Sequence, residues 1–158
     1  MSTDIVTATM RESLAEPERE ATLRRLQDWR QRVHTLYDDV QAKLGPAYHY
    51  DRTGKNRSLE SRVQRAGLTE DDVPPVDVLR IEFDGRLAAQ FLPRMLWMIG
   101  GNGRLDLVVS SRDGAQRFYT LIDQSLPFSN RSVWRLTRPS DSMASHPFCS
   151  ERFHELLE

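Results

Sequence analysis

Residues 79–91 read LRIEFDGRLAAQF, and their alternation of apolar and polar side chains predicts two β-strands joined by a turn. The apolar side chains occupy alternate positions on either side of a central Asp-Gly pair. A three-residue connection would pair Phe83 with Leu87 and Ile81 with Ala89, which places the apolar side chains of both strands on one face. We therefore expect a β-hairpin with one apolar face and one polar face.

A second hairpin is predicted around the Asp-Gly pair at residues 113–114. A two-residue turn at that pair places Val109 opposite Phe118 and Leu105 opposite Ile122. Unlike the first hairpin, these strands carry apolar side chains at both odd and even positions. We therefore expect both faces of the central strands to be covered, either by other parts of the chain or by another protein.

Extended segments continue toward the C-terminus. Residues 132–138 are predicted to form a fifth strand, and residues 147–157 a short terminal helix. Pro93 has no amide hydrogen to donate to a neighbouring strand, so the strand that contains it is expected to bend there.

A long helix is predicted before the strands, because apolar residues recur there at steps of three and four. They are Leu23, Leu26, Trp29, Val33, Leu36, Tyr37, Val40 and Leu44. Pro17 suits the first turn of a helix and Gly45 a position just beyond its end, which predicts a helix over residues 17–44. A shorter apolar stripe from Leu59 to Ala66 predicts a second helix.

The order of these elements predicts an α+β fold. It consists of an antiparallel β-meander of about five strands, with the long N-terminal helix packed on one face, a short second helix and a short C-terminal helix. Residues 1–16 show no sustained apolar period and are expected to form a mobile tail before a single domain at residues 17–158.

Composition excludes several classes of protein. The 158 residues include 22 basic and 23 acidic side chains, so the formal charge of −1 argues against a general nucleic-acid binder, which usually has a basic excess. The apolar stretches are too short to cross a bilayer, and the acidic N-terminus is unlike an export signal. Cys149 is the single cysteine, which is more typical of a reducing compartment. We expect a cytoplasmic protein with no membrane partner.

A partner-binding surface is predicted on the central strands, at apolar positions assigned to the second face of the sheet. These positions are Leu96, Met98, Val108, Tyr119 and Leu121. A large uncovered apolar patch normally marks an interface, so we expect a protein partner or a second copy in a homodimer. Cover by the two short helices is the alternative for these positions.

A nucleic-acid contact is the alternative binding function, and residues 48–65 are its best candidate. This segment combines residues suited to base stacking and phosphate contact, namely Tyr48, His49, Tyr50, Arg52, Lys55 and Arg57. The GGNGR string at residues 100–104 offers a second possible anion contact through Arg104. That string connects two predicted strands, however, which is more typical of a hairpin turn.

Recognisable catalytic or metal-binding motifs are absent from the sequence. His146, Cys149 and His154 are zinc-ligand types, but their spacing matches no usual zinc site, so neither a metal nor another cofactor is predicted. A pocket between helix and sheet, lined by Asp106 or Asp123, would make the protein a small-molecule binder or an enzyme. The favoured hypothesis is an interaction module without catalysis of its own.

Overall fold

The structure, a computed structural model, describes residues 3–57, 59–138 and 141–157 and has an α+β architecture. The helices are α1 (Thr3–Leu44), α2 (Ser61–Arg65) and α3 (Phe153–Leu156), with 3-10 turns at Glu70–Asp72 and Ser150–Arg152. The strands are β1 (His49–Asp51), β2 (Lys55–Asn56), β3 (Val76–Asp77), β4 (Leu79–Phe83), β5 (Arg86–Met95), β6 (Arg104–Ser110), β7 (Gln116–Asp123), β8 (Trp134–Arg138) and β9 (Asp141–Pro147). No helix among the described residues is long and apolar enough to cross a membrane.

Seven strands form one antiparallel sheet in the order β1-β4-β5-β6-β7-β8-β9, and β2 pairs with β3 in a separate ribbon. The α+β prediction is confirmed, but the sheet has more strands than the five expected. The additional strands lie at its two edges, where β1 pairs with β4 and β9 with β8. β1 has only three residues and β9 reads DSMASHP, so neither shows the apolar alternation by which a strand is predicted.

The long helix begins at Thr3, earlier than the predicted start at Pro17, which lies inside it. Residues 1 and 2 of the predicted tail lie outside the described residues, and residues 3–16 are helical. The side chains from Glu16 to Ala21 are exposed, and Thr22 is the first buried one described in this helix. Apolar periodicity predicts only the part of a helix that packs on a core. Residues 3–16 lack such an apolar stripe, so the sequence did not predict that the helix includes them.

The predicted apolar stripe of α1 is confirmed as the side of the helix that packs on the sheet. Its members Leu26, Trp29, Val33, Leu36, Tyr37 and Val40 are buried in one cluster with the inward side chains of β4–β8. The rings of Tyr37 and Phe91 lie 5.8 Å apart, and the Tyr37 hydroxyl donates a 2.7 Å hydrogen bond to the Asp77 carbonyl. We call the side of the sheet that faces α1 the inner face, and the opposite side the outer face.

The first hairpin turns over two residues, so the predicted three-residue connection is wrong. Asp84 and Gly85 have φ angles of 53° and 73°, and positive φ at both positions is the signature of a type I′ turn. Phe83 is consequently paired with Arg86, not with Leu87 as predicted.

A β-bulge corrects the register farther along the same hairpin. The pairing shifts by one residue between Ile81 and Glu82, because β5 contributes an additional residue, Ala88. Beyond the bulge, Ile81 lies opposite Ala89, which confirms this part of the prediction. A second register shift follows Pro93, where the strand was expected to bend.

The register predicted for the second hairpin is wrong by one residue. Five residues, 111–115, separate the paired ends of β6 and β7, and the Ser111 amide donates to the Ala115 carbonyl. The Asp113 carboxylate widens the turn by accepting hydrogen bonds from the Ser111 hydroxyl and the Ala115 amide. Tyr119 therefore pairs with Leu107. Because side chains alternate along a strand, this shift by one residue exchanges the two faces of β7 relative to β6.

Substitutions on opposite faces of β7 test this register. Leu121→Ala is expected to lower the free energy of unfolding by about 2–5 kcal/mol, because Leu121 is completely buried. Phe118→Ala is expected to change the free energy of unfolding of the single chain, measured at low protein concentration, by less than about 1 kcal/mol, since Phe118 points outward. Urea denaturation of both variants measures the difference. The opposite ranking would mean that the pairing of β6 with β7 is wrong.

A buried ion pair joins α1 to the end of β7. Arg32 Nη1 donates to Asp123 Oδ2 at 2.6 Å and to the Asn102 carbonyl at 2.8 Å, while Arg32 Nε donates to Asp28 Oδ2 at 2.8 Å. Both Arg32 and Asp123 are buried. The single guanidinium thus links the helix to the turn before β6 and to the end of β7.

Hydrogen bonds keep the Asp123 carboxyl ionised in spite of its burial. Burial alone would raise its pKa, but the amides of Val133 and Ser125 and the guanidinium of Arg32 hold the pKa below its ordinary value. The two amides each donate to Oδ1 at 2.9 Å, which also fixes the start of the connection to β8. Asp123 therefore organises the backbone on both sides of this end of the sheet.

The close approach of α1 to the sheet requires glycine at position 103. A Cβ atom at Gly103 would lie 2.2 Å from the Trp29 ring, and the backbone there has φ of +119°. Arg32 stacks on the same ring, 5.2 Å from its centre. The GGNGR string is thus a connection between strands, as predicted, and Gly103 within it allows α1 to pack closely against the sheet.

Replacing the buried carboxylate tests its role and its pH dependence. Asp123→Asn removes the more deeply buried of the two carboxylates that pair with Arg32 and leaves Asp28, so we expect a loss of about 3 kcal/mol at neutral pH, the lower end of the cost of breaking a buried ion pair. The folded-state pKa of Asp123 is depressed, so its contribution is present above the unfolded-state pKa of about 3.9 and is lost as the pH falls through the folded-state pKa. Urea denaturation at several pH values should show a smaller loss on acidification in Asp123→Asn.

The matched control for this experiment is Asp71→Asn, which removes an exposed carboxylate. It is expected to retain wild-type stability and pH dependence. Equal stability of Asp123→Asn and the control would show that the ion pair does not hold the helix on the sheet.

Candidate functional site

The described helices leave the outer face of the central strands uncovered. The buried side chains of α2 and α3 belong to the same core as those of α1, and the Phe153 ring lies 5.4 Å from Phe91 on the inner face. In contrast, every described side chain that points outward from β6 and β7 is at least partly exposed. The helices therefore gather on one side of the sheet.

Apolar side chains project from the outer face at neighbouring positions on three strands. We call Leu92, Val108, Phe118 and Ile122 the outer-face patch. Val108 lies directly opposite Phe118, and Leu92 lies diagonally beside Val108. Phe118 is 57% exposed, which is high for an aromatic side chain in the middle strands of a sheet. A shallow groove of about 300 Å³ is lined by Leu92, Val108 and Phe118 together with polar and charged side chains of the same face.

Charged groups lie within the outer-face patch as well as beside it, because Asp106 is directly opposite Leu92. Asp106 accepts a 2.6 Å hydrogen bond from Arg94 Nε and a 3.1 Å bond from Arg104 Nη2. Arg104, proposed from the sequence as an anion contact, is therefore paired with a carboxylate. The outer face therefore presents both signs of charge among its apolar side chains.

The predicted partner-binding residues fall into two groups. Val108 lies on the outer face, as expected. The placement of Leu96, Tyr119 and Leu121 on an uncovered face is wrong, because all three are buried in the hydrophobic core. For Tyr119 and Leu121 the cause is the register error, which exchanged them with Phe118 and Ile122.

Met98 lies outside the sheet face to which it was assigned. It follows β5 in the connection to β6, where it forms an isolated bridge with Gly101, and it is partly exposed. Phe118, Leu92 and Ile122 were not predicted. β7 has apolar residues at both odd and even positions. Its exposed face therefore cannot be predicted unless the register with β6 is known.

The aromatic residues of the predicted nucleic-acid segment make contacts within the domain. The Tyr48 ring lies 5.1 Å from Phe83, and the Tyr50 hydroxyl donates a 2.7 Å hydrogen bond to the Gly45 carbonyl at the end of α1. His49 is exposed on the edge strand β1. The two tyrosines therefore stabilise the connection after the helix.

Two of the basic residues in this segment are paired with carboxylates. Arg52 donates to Asp77 Oδ2 at 3.0 Å and to Asp38 Oδ1 at 2.7 Å, and Lys55 forms an ion pair with Asp77. Arg57 is exposed. Both pairings reduce the positive charge that this segment offers to a phosphate backbone.

Asp77 is the centre of a cluster of ionisable groups that sequence reasoning missed. Burial would raise its pKa, but hydrogen bonds from Lys55 and Arg52 and the nearby His34 hold it below its ordinary value. His34 Nε2 accepts a 3.0 Å hydrogen bond from the Asp77 amide, and burial lowers the pKa of this imidazole. These groups satisfy one another, so the cluster serves to cross-link α1 to β3 and its neighbouring loop. No sequence pattern relates the distant positions 34, 52 and 77.

The other candidate sites are not assembled as metal or catalytic centres in the described part of the chain. Asp106 lies on the outer face and Asp123 is consumed by the ion pair with Arg32, so the two do not share a pocket between helix and sheet. No group of three or more metal-ligating side chains occurs among the described residues, which include His146, Cys149 and His154.

Comparison with protein-family models, with curated proteins and with solved structures found no match for this chain.

Proposed function

We propose that this protein is an interaction module that binds a second copy of itself through the outer face of the sheet. The observation that carries this proposal is the outer-face patch, in which Phe118 is exposed beside Val108 and Leu92. When a partner removes exposed apolar groups on adjacent strands from water, the free energy of the system falls. A sheet face opposite a helical layer is also a stable packing surface for another sheet.

The charges beside the patch suit contact between identical faces. In a two-fold dimer the same surface meets itself, so a face of one charge sign would repel its copy. Here Asp106 lies between Arg94 and Arg104, so each copy offers both an acceptor and donors to the other. The arrangement supports a homodimer over a partner of strongly acidic or basic character.

The proposed module acts without catalysis of its own and in the cytoplasm. The ionisable side chains around Asp77 and around Asp123 form hydrogen bonds with one another within the domain. These contacts support a structural role for both clusters. The single cysteine, Cys149, is exposed and suits a reducing compartment.

Charge substitution in the patch tests the proposal. Phe118→Asp and Val108→Asp are expected to convert a dimer to a folded monomer, because each places an unpaired carboxylate in the centre of the apolar contact. Light scattering on a sizing column gives the mass, and circular dichroism on heating verifies that the variants fold. The control Leu126→Asp alters a side chain that is 78% exposed in the loop between β7 and β8 and should remain dimeric.

Three outcomes would contradict this function. They are a monomeric wild-type protein at all concentrations, dimers that persist in both patch variants, and equal dissociation of the Leu126→Asp control. Ultraviolet absorbance of the same column peak reports bound nucleic acid. A monomer that elutes with nucleic acid and releases it at high salt would favour the nucleic-acid alternative instead.

A further inference from the structure

A second concave surface lies where the turns of two hairpins approach the C-terminal helix. The groove has a volume of about 420 Å³ and runs between the β4–β5 turn, the β6–β7 turn and α3. Small-molecule sites typically occupy about 300–1,000 Å³. The outer-face patch contributes no residue to its lining, so the two surfaces are distinct.

One side of the groove is apolar. Tyr48, Phe83, Leu87 and Leu157 contribute to it, and the rings of Tyr48 and Phe83 lie 5.1 Å apart. Phe83 is 41% exposed, because the two-residue turn places it at the mouth of the hairpin. A ligand with an apolar body would remove the exposed parts of Tyr48, Phe83 and Leu87 from water, while Leu157 is already buried.

The rest of the lining is cationic. The positive charge comes from Arg86 and Arg112, the other residues of this side are small or polar, and no Asp or Glu is among the described lining residues. Arg86 Nη1 donates a 2.8 Å hydrogen bond to the Arg112 carbonyl, which joins the two turns without neutralising either charge. Within the described part of the chain, neither guanidinium forms an ion pair with a carboxylate.

The third wall of the groove is held in place by contacts with the sheet. Arg117 Nη2 donates a hydrogen bond to the Leu156 carbonyl, and Phe153 packs against Phe91 in the core. These contacts position α3 in the absence of a ligand. Binding would therefore require little movement of this wall, which favours affinity.

We propose that this groove binds an organic carboxylate with a medium-length alkyl chain. The alkyl chain lies along Phe83, Leu87 and Leu157, and the carboxylate accepts hydrogen bonds from Arg86 and Arg112. Guanidinium groups bind carboxylates through strong charge-assisted hydrogen bonds. The combination of an apolar wall with uncompensated positive charge selects an amphipathic anion over a neutral or cationic ligand.

Nuclear magnetic resonance titration with decanoate, kept below its aggregation threshold, tests this site. Saturable shifts are expected at the amides of Leu87 and Gly114, and octanoate should bind roughly tenfold more weakly because it lacks two methylene groups. In the double variant Arg86→Gln/Arg112→Gln, affinity for decanoate should fall by at least about tenfold, through the loss of two charge-assisted contacts.

The matched control is Arg65→Gln/Arg131→Gln, which removes the same amount of charge at two exposed positions outside the groove. It should bind decanoate as the wild type does. Should the first double variant fail to fold, Arg112→Gln alone keeps the backbone acceptor of the Arg86 hydrogen bond and should still weaken binding several-fold. The proposal is overturned by unsaturable shifts, by equal binding of decyltrimethylammonium, or by equal losses in variant and control.

Discussion

The pairing of β6 with β7 is the constraint on which the rest of the structure depends. With Leu107 opposite Tyr119, the inner face receives a continuous layer of apolar side chains on which α1 packs. The same register brings Asp123 to the inner face at the end of β7, where Arg32 of the helix meets its carboxylate. A shift by one residue would expose the core side chains of β7 and turn the carboxylate away from the helix.

One-sided coverage of the sheet follows from this register and relates the fold to its proposed role. The buried side chains of α2 and α3 join the core on the inner face, so the described chain leaves the outer face of the central strands to solvent. Phe118 and Val108 project from that face as a consequence of the same alternation that buries Tyr119 and Leu107. Core formation and the exposed patch are thus two results of a single pairing.

The sequence predicts those features that depend on local pattern and misses those that depend on distant partners. The stripe of α1 and the alternation in β4 identified core positions correctly, because burial imposes a period on each element. The exposed face of β7 was assigned wrongly, because apolar residues occur at both odd and even positions and the width of the turn depends on Asp113. For the same reason Val108 was identified in the candidate site whereas Phe118 was missed. Arg52 is neutralised by Asp77, and no local sequence pattern predicts this pairing because the two residues are far apart in the chain.

Cross-strand nuclear Overhauser effects between backbone protons of β6 and β7 measure the register of these two strands. Directly opposed residues of antiparallel strands have Cα atoms about 4.5–5.5 Å apart, so their backbone protons give assignable contacts. We expect contacts that pair Leu107 with Tyr119 and Leu105 with Leu121. Contacts that pair Leu105 with Ile122 and Val109 with Phe118 would contradict it, since Phe118 would then lie on the core face and the proposed interaction surface would not exist.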